Sequence, residues 1–180
     1  MLGKKKDKEL AKKKDTSLST KDETSLTNVN YQRDRLYKKG INLMADEKLE
    51  EAVRNFEMIL RADPNDVEAM LKLGYSRFHL EDHSEAMRVY DKILDIDVTN
   101  PEAWNLKSLV NYEKKNYAKA LDCAEKAIDS DPTYGMAWYN KACYLSMLNQ
   151  VPDSLEALKR SIEIDVKNAR KAVKDKDFVN

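Results

Sequence analysis

The chain has 180 residues, and its 32 Lys+Arg are balanced by 32 Asp+Glu, so its formal charge is zero. That balance excludes a strongly basic nucleic-acid domain as the first reading, and 4 Gly and 4 Pro in a chain 42% hydrophobic and 36% charged point to long helices. Gly3, Gly40, Gly74 and Gly135 lie too far apart to cradle a phosphate, and two cysteines, Cys123 and Cys143, suit a reducing cytoplasm rather than a disulfide scaffold.

Residues 1–32 hold 8 Lys against 5 Asp+Glu, with Leu2, Leu10, Leu18 and Leu26 scattered among polar residues. So few apolar side chains cannot offset the entropy of ordering, and a disordered tail is expected. No apolar stretch follows Lys4-Lys5-Lys6, so this is not a signal peptide, and Gly3 stands one place too late for myristoylation. Nowhere does an apolar run approach the roughly 20 residues that cross a bilayer, and no membrane span is expected. Lys4–Lys6 and Lys12–Lys14 supply the alternative function, an RNA, ribosome or anionic-membrane adaptor acting through the tail. Against it, Asp7, Glu9 and Asp15 dilute the charge, and no Arg or aromatic residue accompanies the lysines to stack on bases.

From Arg33 the chain repeats itself every 34 residues, with registers opening at Arg33, Val67, Pro101 and Gly135 and closing at Asn168 without an insertion. The fourth place holds Leu36, Met70, Trp104 and Trp138, and the eighth Gly40, Gly74, Ser108 and Ala142. At the twentieth stand Ala52, Ala86, Ala120 and Ser154, at the twenty-fourth Phe56, Tyr90, Ala124 and Leu158, and at the thirty-first Asp63, Asp97, Asp131 and Asp165. Apolar residues fall at helical spacing twice per unit, which predicts helices over 32–45, 49–61, 67–80, 84–95, 101–114, 117–129, 135–148 and 152–164. Small residues at the eighth and twentieth places are needed where two helices cross closely. Asn100-Pro101-Glu102 reads as a helix start, with an N-cap side chain, Pro in the first turn and an acid at the positive dipole end. A ninth helix over 168–176, with Ala169, Ala172 and Val173 on one side, is expected to cap the stack.

With this period and these residues the sequence resembles the tetratricopeptide repeat (TPR) family over 33–168. It departs where Val98 and Val166 replace the usual Pro seen at Pro64 and Pro132, and where Ser154 and Ser161 stand for small apolar residues. The resemblance implies an all-α fold, a right-handed α-solenoid of four helix-turn-helix repeats with 169–180 as a capping segment. It further implies a non-catalytic scaffold that takes a peptide or helix of a partner protein in the concave groove lined by the first helix of each repeat. Carried over position by position, that groove has Tyr37, Ile41 and Met44 in the first repeat, and Leu71, Tyr75 and Phe78 in the second. The third contributes Asn105, Leu109 and Tyr112, and the fourth Tyr139, Cys143 and Met147. A TPR subclass that grips C-terminal carboxylates uses Lys, Asn and Arg at set places. Here those places hold Tyr37, Ile41, Lys72, Glu102 and Leu106 in one register, and Leu71, Tyr75, Leu106, Met136 and Asn140 in the next, so chaperone tails are disfavoured. A groove filled by the chain's own tail or by a second copy is a further reading.

No catalytic, cofactor or metal site is expected. His79 and His83 are four apart, but Glu81-Asp82 makes a turn between them and no third ligand is near. Cys123 and Cys143 lack an activating neighbour in sequence, and paired acids such as Glu50 and Glu51 fit a solvated helix face.

Overall fold

The computed structural model describes residues 30–178. The disordered tail expected over 1–32 falls mostly on residues 1–29, outside the described residues, while 30–32 already belong to the first helix. That helix, α1, runs through 30–45 and is followed by α2 (Leu49–Ala62), α3 (Val67–His79), α4 (His83–Ile96), α5 (Pro101–Glu113), α6 (Tyr117–Ser130), α7 (Gly135–Met147) and α8 (Val151–Ile164). Two short pieces close the chain, α9 (Lys167–Ala172) and a 3₁₀ turn at Lys176–Phe178. Consecutive helices pack antiparallel as hairpins, α3 also meets α5, and α5 meets α7, so four helix-turn-helix repeats stack into an α-solenoid.

Both joints of the repeat are built from local chemistry. Inside each hairpin the fifteenth residue, Glu47, Glu81, Lys115 or Asn149, sits in the left-handed region with φ of 59°, 61°, 57° and 59°. The next N–H then reaches back to close the helix end, as Lys48 to the Leu43 carbonyl at 2.8 Å and Asp82 to Arg77 at 2.9 Å. Between repeats the thirty-first-place Asp is extended and its carboxylate accepts the N–H two residues on. These bonds are Asp63 from Asn65 (3.0 Å), Asp97 from Thr99 (3.0 Å), Asp131 from Thr133 (2.9 Å) and Asp165 from Lys167 (3.0 Å). That turn explains why the Asp recurs, and why Val98 and Val166 are tolerated in place of Pro: the side chain, not the ring, closes the bend.

The small eighth place has an identifiable occupant opposite it. A methyl group on Gly40 would collide with the Phe56 ring, and one on Gly74 with the Tyr90 ring, the twenty-fourth residue of the same repeat. Phe56 and Tyr90 are fully buried and join Ala52 and Ala86 in one continuous core that runs from Leu43 to Val110. In the third repeat the aromatic is replaced by Ala124, and Tyr144 of the fourth repeat packs against it. The Tyr144 hydroxyl meets Ser108 at 2.9 Å and its ring lies 5.5 Å from that of Tyr112. Fourth-place tryptophans tie neighbouring repeats, since Trp104 donates to the Val98 carbonyl at 2.7 Å and Trp138 to Pro132 at 2.9 Å.

The expected cap differs from a helix over 168–176. Helix α9 stops at Ala172, and the chain turns back so that Lys176–Phe178 lies against α7. Asn168 anchors the start of this segment by donating to the Ser161 hydroxyl at 2.7 Å, and Ser161 in turn donates to the Gly135 carbonyl at 3.0 Å. Ser154 likewise donates to the Ala142 carbonyl at 2.8 Å, so the two serines that replace small apolar residues hold α8 on α7 by hydrogen bonds.

Candidate functional site: a groove along the first helices

A groove of about 440 Å³ runs across α1, α3, α5 and the start of α7, lined among others by Ile41, Met44, Tyr75, Leu109 and Met136. Tyr75 is 38% exposed and Met136 41% exposed, which leaves apolar surface open to solvent in a concave setting. Lys72 and Glu102 pair at 3.2 Å within the same lining, so the one cation there among the described residues is already engaged. Tyr134, from the turn before α7, completes the wall, and burial with the Glu102 charge pushes its hydroxyl up to about 12.

At the α1 end, Arg33 forms a two-pronged pair with Asp66 (2.8 and 3.1 Å) and also reaches Glu68. Burial alone would raise the Asp66 carboxyl, but Arg33 and the N–H of Ala69, which it caps at the start of α3, hold it below the usual carboxylate range. Tyr37 lies beneath this network with the Arg33 guanidinium 4.9 Å from its ring centre and Phe56 edge-on at 5.9 Å. Burial first, and then Glu68, pushes its hydroxyl up to about 12.

The expected groove residues separate into four settings. Ile41, Met44, Tyr75 and Leu109 line the open groove, with Tyr37 half-buried beside it. Leu71 and Asn105 are buried in the wall, Asn105 accepting from Asn140 of the next repeat at 2.8 Å. Phe78 is half-buried with the His79 and His83 rings each 5.3 Å away, and His79 also lies 4.3 Å from Tyr75. Tyr112, Tyr139, Cys143 and Met147 stand toward the far end, where Tyr139 is 1% exposed and Cys143 is buried.

The far end is covered by the chain's own C-terminal segment. Tyr112 donates to both carboxylate oxygens of Asp177, at 2.9 and 2.8 Å, and Tyr139 donates to Asp175 at 2.6 Å. Ser146 donates to the Asp177 carbonyl at 2.5 Å, while Phe178 sets its ring edge-on to Tyr139 with centroids 5.9 Å apart. The remaining Asp175 oxygen accepts the Asp177 N–H at 3.1 Å. Cys143 Sγ and the two carboxylates lie within 4.8 Å of one another, yet each carboxylate oxygen already has a hydrogen-bond donor. Burial and the two acids push the Cys143 thiol far up, which removes it as a nucleophile. Sequence reasoning assigns Asp175, Asp177 and Phe178 no role beyond the cap, and the only signal is an aromatic residue stranded in a charged run after the last repeat.

Comparison with known proteins agrees with this architecture. Three family matches, each described as tetratricopeptide repeat, cover residues 43–110, 101–134 and 123–156. Among curated proteins no sequence match is found. A crystal structure of MamA superposes with a TM-score of 0.63 at 25% identity, covering 74% of this chain and 78% of that one. MamA 41-end from Desulfovibrio magneticus RS-1 gives 0.65 at 22% identity over 78% and 80%. TTC0263, a thermophilic TPR protein of Thermus thermophilus, gives 0.67 at 17% identity over 74% of each chain. Among the described residues no helix is long and apolar enough to cross a membrane.

Proposed function

Because the chain belongs to the tetratricopeptide repeat family, we propose that it is a non-catalytic scaffold whose open groove, from Ile41 to Leu109, holds a segment of a partner protein. The observation that carries this reading is the groove itself, concave and lined with apolar side chains that pack on the core along one side and stay partly exposed on the other, with Tyr75 38% exposed among them. Aromatic side chains in such a setting are the usual anchors of binding energy. The residues that would grip a terminal carboxylate are absent: Lys72 is paired with Glu102, and Tyr75 and Ile41 stand where donors would be needed. The groove therefore selects apolar side chains of the partner.

A displayed peptide library selected on the full chain tests this. Peptides recovered on the wild type should lose roughly 30-fold in affinity or more on Tyr75→Ala or Leu109→Asn, in keeping with the loss of a hot-spot contact. Tyr75 is exposed, so Tyr75→Ala should leave folding stability within about 0.5 kcal/mol. Unchanged affinity in variants that keep their helicity would move the binding surface away from the groove.

A further inference from the structure

The C-terminal segment is held in the groove by polar contacts of the kind that hold a ligand, in addition to the apolar contacts of a cap. Ala172 and Phe178 turn inward onto α6–α8 as a cap would, but Val173 is 83% exposed, and the segment is also fixed by hydroxyl donors on two carboxylates and on the Asp177 carbonyl, contacts that a purely hydrophobic cap does not need. Cys143 occupies the ninth place of its repeat, as Ile41 and Tyr75 do in the open groove, and Tyr112 and Ser146 the twelfth, as Met44 does, so the segment lies on a continuation of the same surface. Asp177 is buried to 7% exposure, and among the described residues neither it nor Asp175 has an ion-pair partner; Lys171 instead lies over the Tyr139 ring at 4.0 Å. A buried and a half-buried carboxylate met only by neutral O–H, N–H and S–H groups are held specifically, but they give up hydration that water would restore on release. Helix α9, which carries the segment, has only six residues and is anchored at its start by Asn168, so past that anchor the segment depends on its contacts with the groove.

We propose that the far end of the groove, Tyr112, Tyr139 and Ser146, is a recognition site for a partner segment of the pattern acid, any residue, acid, aromatic, and that Asp175–Phe178 is its built-in occupant, displaced when such a partner binds. The inference rests on the groove reading above, since a partner that enters along Ile41, Tyr75 and Leu109 meets this segment as it continues past Tyr112. Displacement lengthens the available groove by one repeat and makes binding dependent on the partner's carboxylates.

The two cysteines report on it in the full-length protein. Cys143 lies beneath the segment, with Asp175 at 3.9 Å, whereas Cys123 is buried in α6 with Asn111 at 3.9 Å and makes no contact with the segment. In the Asp177→Asn/Phe178→Ala variant the alkylation rate of Cys143 should rise about tenfold or more while that of Cys123 stays as in the wild type, the response of a local opening. A labelled peptide spanning residues 172–178 should bind that variant about tenfold tighter than the wild type, because its site is no longer filled. The same peptide carrying Asp175→Asn and Asp177→Asn, or a host carrying Tyr112→Phe and Tyr139→Phe, should abolish binding. Equal acceleration of both cysteines would show an obligatory cap whose loss unfolds the last repeat, and would overturn the proposal. So would equal peptide affinity for variant and wild type, or a doubled solution mass that the variant abolishes, which would seat the segment in a second copy. Loss of these effects with peptide capture at Tyr75 intact would defeat this inference and leave the open-groove reading standing.

Discussion

At Gly74 the sign of a single methyl group is decided by its neighbour. In a helix interior Ala is favoured over Gly by about 1 kcal/mol, yet here the added carbon meets the Tyr90 ring, which is fully buried and has nowhere to swing. Gly74→Ala should therefore destabilise, and Ala86→Leu, at another fully buried position of the same repeat, should cost on the order of 1 to 3 kcal/mol by overpacking. Denaturant unfolding checks both, with a lowered midpoint at unchanged slope; a gain in stability for Gly74→Ala would mean the crossing is looser than the Tyr90 packing implies. The small and large places are legible in sequence because they recur at a fixed offset. The pairing of Ser108 with Tyr144 is not, because it compensates across two repeats for Ala124 and follows no period.

Each hairpin turn asks for a residue in the left-handed region, and the chain supplies Glu47, Glu81, Lys115 and Asn149, with no glycine among them. A side chain there costs about 1–2 kcal/mol, part of which Gly returns as extra entropy in the unfolded chain. Glu47→Gly, Glu81→Gly and Lys115→Gly should each stabilise by up to about 1 kcal/mol, and Asn149→Gly by less, because Asn tolerates this conformation. Thermal melts of the four variants would check the order; destabilisation of the first three would point to side-chain contacts outweighing backbone strain. Helix boundaries are readable to within a residue or two for α2 to α8, since apolar period and turn chemistry are both local. Helix α9 is shorter than its sequence suggests because the contact that ends it is distant: Tyr112 stands 65 positions before Asp177, and no local preference reports such a contact.

Across the whole molecule, cohesion is graded. Helices α3 to α6 are flanked on both sides by other repeats; the core around Phe56, Met70, Tyr90 and Ile93 is continuous through α5, and α6 buries Ala120, Ala124 and Ala127 in clusters shared with α7. Helix α8 buries mainly Ser154, Ala157 and Ser161 and leaves Val151 and Leu155 more than half exposed. Amide exchange should be slowest in α3–α6 and progressively faster through α8 and α9, since stability in a repeat stack is a sum of neighbour terms. Uniform protection from α2 to α9 would instead mark a single cooperative unit. The scaffold and its groove can be read from the 34-residue period, but which part of that groove is free depends on where residues 173–178 come to rest.

The Asp-closed bend between repeats has a consequence for the lineage of such chains. Its bonds run from the Asn65 N–H to Asp63, or from the Thr99 N–H to Asp97, and so lie wholly inside the passage that is copied when a repeat is duplicated. A duplicated stretch such as 67–100 arrives with its own hinge, already bent to receive the next unit. Growth by copying then extends the array in steps of 34 residues while the two ends, where the joints have no successor to serve, are free to diverge into something else.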